Sequence, residues 1–306
     1  MRDGRVVRKA AVKSVDGVSL TLFDGEILGV IGESGCGKST LGRLIVRLES
    51  PSDGKVLYRG TEAETLYKKD KLAFRRTTQM VFQNPFETFD PRYTIGKTLI
   101  HTLRLHRIGA DDAERISLIS AQLEQAGLTP AKRMLARYPH EMSGGQLQRV
   151  SIIRSLMLGP EVIVADEPVS MLDISMRADI INLLYASARR ERVGLIFISH
   201  DISLTRYISD FIAVMYLGNI VEYGKASEVV GRPMHPYTKV LVSNSPSADP
   251  LETRQPIMII GEPATPIDVP EGCVFSPRCP EAVPECAFEK QELRGIDHRL
   301  IRCSRV

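Results

Sequence analysis

The stretch Gly32-Glu33-Ser34-Gly35-Cys36-Gly37-Lys38-Ser39-Thr40 constrains this chain more than any other. It fits the phosphate-cradling pattern G-x-x-x-x-G-K-[ST] in full. Gly32, Gly35 and Gly37 let the backbone curl so that successive N–H groups point into one concavity, which suits an anion. Lys38 can reach terminal phosphates, and the Ser39 hydroxyl can ligate Mg²⁺. Ahead of the loop, Glu26 to Ile31 is an apolar run of strand length. Behind it, Leu41, Leu44, Ile45 and Leu48 fall on one face of a helix. Strand, glycine loop and helix N-terminus together predict an anion site.

Composition sets the bounds around that site. The 306 residues suffice for one large α/β domain with an appendage, or for two modest domains. With 43% hydrophobic and 25% charged residues the chain reads as globular. A net charge of +3 is too mild for a nucleic-acid binder, and none is expected as a partner. No apolar run approaches the roughly 20 residues that span a bilayer. The start lacks the apolar core of a signal peptide, so a cytosolic setting is expected.

Taken in order, Val12 to Leu22 looks β-rich around an Asp16-Gly17 turn, and Lys55 to Tyr58 reads as a short strand. Residues 61–78 read as polar and without fixed conformation. Met80-Val81-Phe82 is a short buried strand ending at Gln83. From about 84 to 155 the pattern is helical, and Ser143-Gly144-Gly145-Gln146 opens its last long helix. Val162 to Ala165 and Leu195 to Ile198 are continuous apolar strands of the kind buried in parallel sheets, with a helix between them over 178–190. A hairpin turns at Gly218-Asn219. From Gly231 the chain becomes proline-rich and loop-like, which places a boundary between a domain over 1–230 and an extension over 231–306.

Gly32, Gln83, Asp166 with Glu167, and His200 each follow a short apolar strand. In open α/β sheets ligands sit beyond the carboxyl ends of the strands, so these distant residues can converge on the Lys38 phosphates. Adjacent strand residues face opposite ways, so Asp166 and Glu167 should not share one job: one can face a metal while the other reaches toward the attacking water. Gln83 can ligate Mg²⁺ or position that water. His200 is a candidate γ-phosphate contact. Ser143 and the two glycines after it expose N–H groups at a second helix start, a second anion site.

These motifs, in this order and spacing over roughly 12–230, resemble the ATP-binding subunit of an ABC transporter, in particular the oligopeptide/dipeptide importer branch. The matches are Gly32–Thr40 (Walker A), Gln83 (Q-loop), Met142–Gln146 (signature), Val162–Glu167 (Walker B), Ser170–Asp173 (D-loop) and His200 (H-switch). Tyr138-Pro139-His140-Glu141, His235-Pro236-Tyr237-Thr238 and Pro277-Arg278-Cys279-Pro280 mark the branch. The resemblance implies a P-loop, RecA-like α/β cassette with an antiparallel β subdomain, a helical subdomain at about 84–155 and a short cysteine-rich C-terminal extension. It implies ATP and Mg²⁺ as cofactors, with Gly32, Ser34, Gly35, Cys36, Gly37, Lys38, Ser39 and Thr40 around the phosphates. Ser39, Gln83 and Asp166 are implied as Mg²⁺ partners and Glu167 as general base, with His200 and Gln83 as further catalytic residues. Ser143, Gly144 and Gly145 are implied to face the nucleotide of a second ATPase subunit in a head-to-tail dimer, with Gln146 and Asp173 as further nucleotide-binding residues. Two permease subunits, an extracytoplasmic solute-binding protein and a place at the cytoplasmic face of the membrane follow from the same likeness. Cargo stays open, since oligosaccharide and nickel importers share this engine; a soluble, non-transport ABC ATPase is the reading from another class.

Three departures stand out. No aromatic precedes Phe23 to stack on adenine, so either the native chain starts upstream of Met1 or the base is held without that platform. Met142 stands where leucine is usual, and Met171 where alanine is common.

Four of the five cysteines, Cys273, Cys279, Cys286 and Cys303, crowd the C-terminal stretch with spacing C-x5-C-x6-C-x16-C. A reducing compartment disfavours disulfides. Zinc usually shows tighter pairs, and a [4Fe-4S] cluster tolerates wider ones. The resemblance tips the expectation to an iron–sulfur cluster, with zinc or plain buried thiols as alternatives.

Overall fold

Apolar runs too short to make helices become neighbouring strands in the computed structural model, which describes residues 12–246, 255–259, 261, 267, 269 and 271–306. Strand β1 (Ile27–Ile31) and helix α1 (Lys38–Ile45) flank the phosphate loop. A hairpin of β2 (Leu57–Tyr58) and β3 (Thr61–Glu62) leads through α2 (Ala63–Lys69) and α3 (Lys71–Thr77) to β4 (Thr78–Val81). Helices α4 (Ile95–Leu105), α5 (Asp112–Gln125) and α6 (Ala131–Ala136) precede the long α7 (Gly144–Leu156). Then come β5 (Val162–Asp166), α8 (Ile174–Glu191), β6 (Gly194–Ile198), α9 (Ile202–Ile208) and the hairpin of β7 (Phe211–Tyr216) and β8 (Asn219–Lys225). The later elements are α10 (Ala226–Gly231), α11 (Pro236–Ser243), β9 (Arg294–Ile296) and β10 (Arg299–Ile301).

One sheet carries the order β4-β5-β6-β1-β7-β8-β10-β9. Its first five strands are parallel and the rest antiparallel. Side chains alternate across it. Leu28, Val30, Val164, Ile196 and Ile198 face α1, packing on Leu41. Ile27, Ile163, Ala165, Leu195 and Phe197 face α8, packing on Ile180, Ile181 and Leu184. Helices on both faces explain why these strands read as unbroken apolar runs rather than alternating ones. The register pairs Val81 with Ala165 and Asp166 with Ile198, so the carboxyl ends of β4, β5 and β6 lie level.

The helical segment forms its own core. Ile95, Leu99 and Leu103 of α4 meet Ile119 and Leu123 of α5, and Leu147, Val150 and Ile153 of α7 close it. The same α7 sends Ile152 and Leu156 into the sheet's core, so it joins the two layers.

The structure corrects several expectations. Val12 to Leu22 forms no strand; Val15, Val18, Leu20 and Leu22 instead pack their side chains on the sheet without a backbone ladder. Among the described residues the antiparallel β subdomain is therefore only the β2–β3 ribbon. Residues 63–77 are helical rather than unfixed. Their apolar signal is thin because only Ala63 and Phe74 are buried, but Asp70 caps α3 by accepting from the N–H groups of Leu72 and Ala73. The stretch after 231 is not loop throughout. It contributes α11, packed in the core through Tyr237 and Val242, and β10, which pairs with β8 of the main sheet. The first eleven residues of the expected 1–230 domain lie outside the described residues.

Candidate active site

The phosphate loop is shaped by what surrounds it. Gly37 sits at φ +105°, and a Cβ there would fall 1.9 Å from the Ser14 carbonyl oxygen. Only glycine permits both the angle and the approach. Lys38 is buried, with Nζ donating to the carbonyl oxygens of Gly32 (2.7 Å) and Glu33 (2.9 Å). Cys36 Sγ lies 3.8 Å from the same ammonium, and burial pushes its thiol up. Gly32, Ser34, Gly35, Ser39 and Thr40 thus sit together around the start of α1.

Ser39 Oγ donates to Asp166 Oδ1 at 3.0 Å, bringing the loop and the end of β5 together. Asp166 is buried, and burial holds its carboxyl above the usual range. A buried acid whose partner is a neutral hydroxyl suits a hard divalent cation, so this pair fits Mg²⁺.

Glu167 adopts φ +49°, rare for a residue with a side chain. Its N–H donates to the Ile198 carbonyl at 2.9 Å, while its carboxylate meets His200 Nδ1 at 2.9–3.0 Å. Turning the chain here separates Glu167 from Asp166, as two distinct jobs require. The Glu167 side chain is 14% exposed and that of His200 64%, so the histidine forms the open side of the pair. Gln83 joins through a relay: Nε2 donates to Ser170 Oγ at 3.2 Å, and Ser170 Oγ donates to the Glu167 carbonyl at 3.1 Å. Gln83 therefore sits with the Glu167 group rather than on the Ser39–Asp166 pair.

The Ser143 turn is placed elsewhere. Ser143 Oγ accepts from Gln146 N–H, and Gln146 Oε1 accepts from Ser143 N–H, both at 3.3 Å, a reciprocal cap on α7. None of these bonds reaches the phosphate loop. Gly145 lies against Met176 of α8, and Asp173 at the start of α8 is exposed without a side-chain capping bond. Phe23 is 68% exposed, with its carbonyl against Gly194 at the start of β6. It lies at the opposite end of the strands from the phosphate loop and offers no platform for a base bound there.

A family model described as ABC transporter matches residues 15–170. The chain belongs to the ABC transporter family. A second model, the oligopeptide/dipeptide transporter C-terminal region, matches residues 221–286 of this ABC protein. The oligopeptide transport ATP-binding protein OppF of Escherichia coli (strain K12) is 44% identical over 297 residues, covering 96% of this chain and 88% of that protein. The protein of the same name from Salmonella typhimurium (strain LT2) shows the same identity and coverage. Among solved structures, a dimeric post-hydrolysis state of the ATP-binding cassette MJ0796 bound to ADP and phosphate superposes with TM-score 0.63 at 27% identity, covering 70% of this chain and 90% of that one. This ABC protein is accordingly an ATPase, using ATP and Mg²⁺.

The expected metal centre finds no support among the described residues. Cys273 N–H donates to the Cys286 carbonyl at 2.7 Å, and Cys279 and Cys303 lie near enough to influence Cys273 or each other electrostatically. Among the described residues, however, no group of three or more His, Cys, Asp or Glu side chains could hold a metal ion. Burial raises the Cys273 and Cys303 thiols and pushes Cys279 up to about 11. Neither the [4Fe-4S] cluster nor zinc is supported.

Two side chains near the phosphate loop carry no spacing signal at all. Tyr237 and Arg278 contact Glu33 from 204 and 245 residues away in sequence. Both sit in the branch motifs His235-Pro236-Tyr237-Thr238 and Pro277-Arg278-Cys279-Pro280, but nothing in those motifs points to Glu33.

Proposed function

We propose that this ATPase drives uptake of di- or oligopeptides through a membrane permease, using the site described above. The carrying observation is the joint match of the cassette and of the peptide-transporter C-terminal region on one chain. The names of the relatives that align along nearly its whole length support the same cargo.

In this reading the phosphate loop cradles ATP and Lys38 turns its Nζ from carbonyl oxygens to the terminal phosphates. Ser39 and Asp166 would hold Mg²⁺, with Gln83 as a further candidate ligand, and the ion when bound would neutralise phosphate charge. Glu167 takes a proton from water as that water bonds to the γ-phosphorus, and the bond to the β–γ bridging oxygen breaks to leave ADP. His200 holds the Glu167 carboxylate in place. The Ser143–Gln146 turn and Asp173 lie away from the loop of their own chain, which supports a head-to-tail dimer in which they face the partner's nucleotide. A cavity of about 1070 Å³ between α4, α5 and α6, lined by Tyr93, Ile100, His101, Ile116 and Leu135, suits a permease helix. No helix among the described residues is long and apolar enough to cross a membrane, which fits attachment through such a partner at the cytoplasmic face. A division of labour between residues 1–230 as engine and 231–306 as an extension belongs to this proposal. The iron–sulfur cluster does not.

The test is reconstitution of the chain with the permease and solute-binding protein encoded beside it. ATP hydrolysis should rise when peptide-loaded binding protein is added and should stay basal with oligosaccharide or nickel. Stimulation by sugar or nickel instead of peptide would overturn the cargo.

A further inference from the structure

Glu33 is the second residue of the phosphate loop, and each of its polar groups is occupied. Its N–H donates to Tyr237 Oη at 2.9 Å. Its carbonyl accepts from Lys38 Nζ at 2.9 Å. Its carboxylate takes both terminal nitrogens of Arg278, at 2.8 and 3.2 Å. Two of these three partners come from the C-terminal region, far outside the loop and α1.

Those two partners are held firmly. Tyr237 is fully buried on α11, its ring 4.7 Å from Tyr216 and 5.3 Å from Phe275. Phe275 is also fully buried, and Tyr216 ends β7. Arg278 is 8% exposed, lies over the Tyr216 ring and donates to the Tyr216 hydroxyl at 3.4 Å. Its guanidinium is held well above its usual range, chiefly by the bonds to Glu33. An aromatic wedge therefore connects the C-terminal region to the edge of the loop.

The electrostatics give the contact a purpose. A carboxylate in a loop that binds a triphosphate repels it, and near a protein surface such a term reaches across several ångströms. A bidentate arginine both cancels that charge and fixes its direction. A Glu33 N–H committed to Tyr237, together with the Cys36 N–H on the Glu33 carbonyl at 3.3 Å, pins the start of the loop and leaves its other N–H groups for the phosphates.

We propose that Arg278 and Tyr237 are positioning residues for ATP, through which the C-terminal region sets the shape and charge of the phosphate loop. This rests on the phosphate loop holding the nucleotide, which Lys38→Ala tests separately. If that variant binds MgATP normally, the site assignment fails rather than this one.

The test measures MgATP and MgADP dissociation constants and ATPase rates of the full chain in a double-mutant cycle of Arg278→Met and Glu33→Gln. Arg278→Met should weaken MgATP by about tenfold, and MgADP less, because the exposed carboxylate opposes the more highly charged ligand. Adding Glu33→Gln should restore MgATP to within about threefold of wild type, since the repelling charge is gone. A purely structural arginine would not be rescued. Tyr237→Phe should raise the MgATP constant several-fold with the melting temperature held. If Arg278→Met does not fold, the double variant and Tyr237→Phe still report. An Arg278→Met constant within twofold of wild type, or equal weakening in the single and double variants, overturns the role of Arg278. Unchanged binding in Tyr237→Phe overturns that of Tyr237.

Discussion

His200 Nδ1 and the Glu167 carboxylate, on residues 33 apart in sequence, meet at 3.0 Å at the level ends of β5 and β6. The pairing keeps Glu167 on a side of the chain that Asp166 does not share. Glu167→Gln keeps the shape and removes the base. It should lower the ATPase rate by about 10²- to 10⁴-fold with MgATP binding retained. His200→Ala should reduce the rate constant more than the binding constant. Steady-state hydrolysis beside equilibrium binding checks both, and a Glu167→Gln rate within a few-fold of wild type would defeat the assignment.

Lys38 and Asp166 should fail differently. Lys38→Ala removes charge-assisted bonds, each worth ~1.5–3 kcal/mol, and should weaken ATP by roughly 10- to 100-fold. Asp166→Asn should leave metal-free ATP binding near wild type while flattening the gain in affinity on adding Mg²⁺. Titrating ATP with and without excess EDTA separates the two.

Two glycines offer a contrast between backbone and side-chain neighbours. A Cβ on Gly37 would meet the Ser14 carbonyl at 1.9 Å, in a left-handed conformation as well. Gly37→Ala should cost more than about 2 kcal/mol of stability and abolish nucleotide binding. A Cβ on Gly145 would meet the tip of Met176, at 2.0 Å from Cε, and that flexible side chain can swing away. Gly145→Ala should cost less than about 1 kcal/mol. It should still depress hydrolysis in the assembled transporter, where this turn would approach the partner's nucleotide. Thermal melts of the isolated chain and hydrolysis in the assembly test this pair of outcomes.

His235 predicts a slope in stability against pH. Burial lowers its imidazole from 6.5 to about 3, with Lys239 adding to the shift and a backbone contact to Arg302 opposing it. Between those values the unfolded chain binds a proton that the folded chain does not, so stability falls as pH drops below 6.5. His235 Nδ1 also accepts from Tyr237 N–H at 3.0 Å, a cap that asparagine can reproduce. His235→Asn should therefore keep α11 and shrink the loss of stability between pH 6.5 and about 5. Urea unfolding at both pH values is the measurement, and identical slopes in the two proteins would refute the prediction.

The central sheet was legible because its inner parallel strands β1, β5 and β6 are buried on both faces and so read as apolar runs, whereas edge strand β4 showed only Met80 and Val81. The residues proposed for catalysis stood out for a related reason: each follows such a run directly. Helices α2 and α3 were hidden because two buried side chains, Ala63 and Phe74, make too little periodicity to detect. The Val12 to Leu22 stretch misled because β-branched residues pack as well under a covering segment as in a ladder. Strand β10 is three residues long, too short for any pattern, and only its pairing with β8 defines it. The cysteine spacing spoke of liganding potential, whereas ligand geometry depends on backbone paths that spacing does not encode. Arg278 and Glu33 could not be paired from sequence, since a contact across 245 residues is set by how α11 and the aromatic wedge dock.

Strand β10 also ties the sheet to the timing of synthesis. Glu222 on β8 is fully buried, and its charged partner Arg299, also fully buried, lies 77 residues later in the chain. While the ribosome is adding those residues, β8 presents an unpaired edge and a carboxylate with no counter-charge. Such an edge invites pairing with other nascent chains. The cassette therefore reaches its protected form only when translation has passed Ile301. A premature stop shortly before Arg299 would leave every nucleotide-binding motif intact in a chain prone to aggregate.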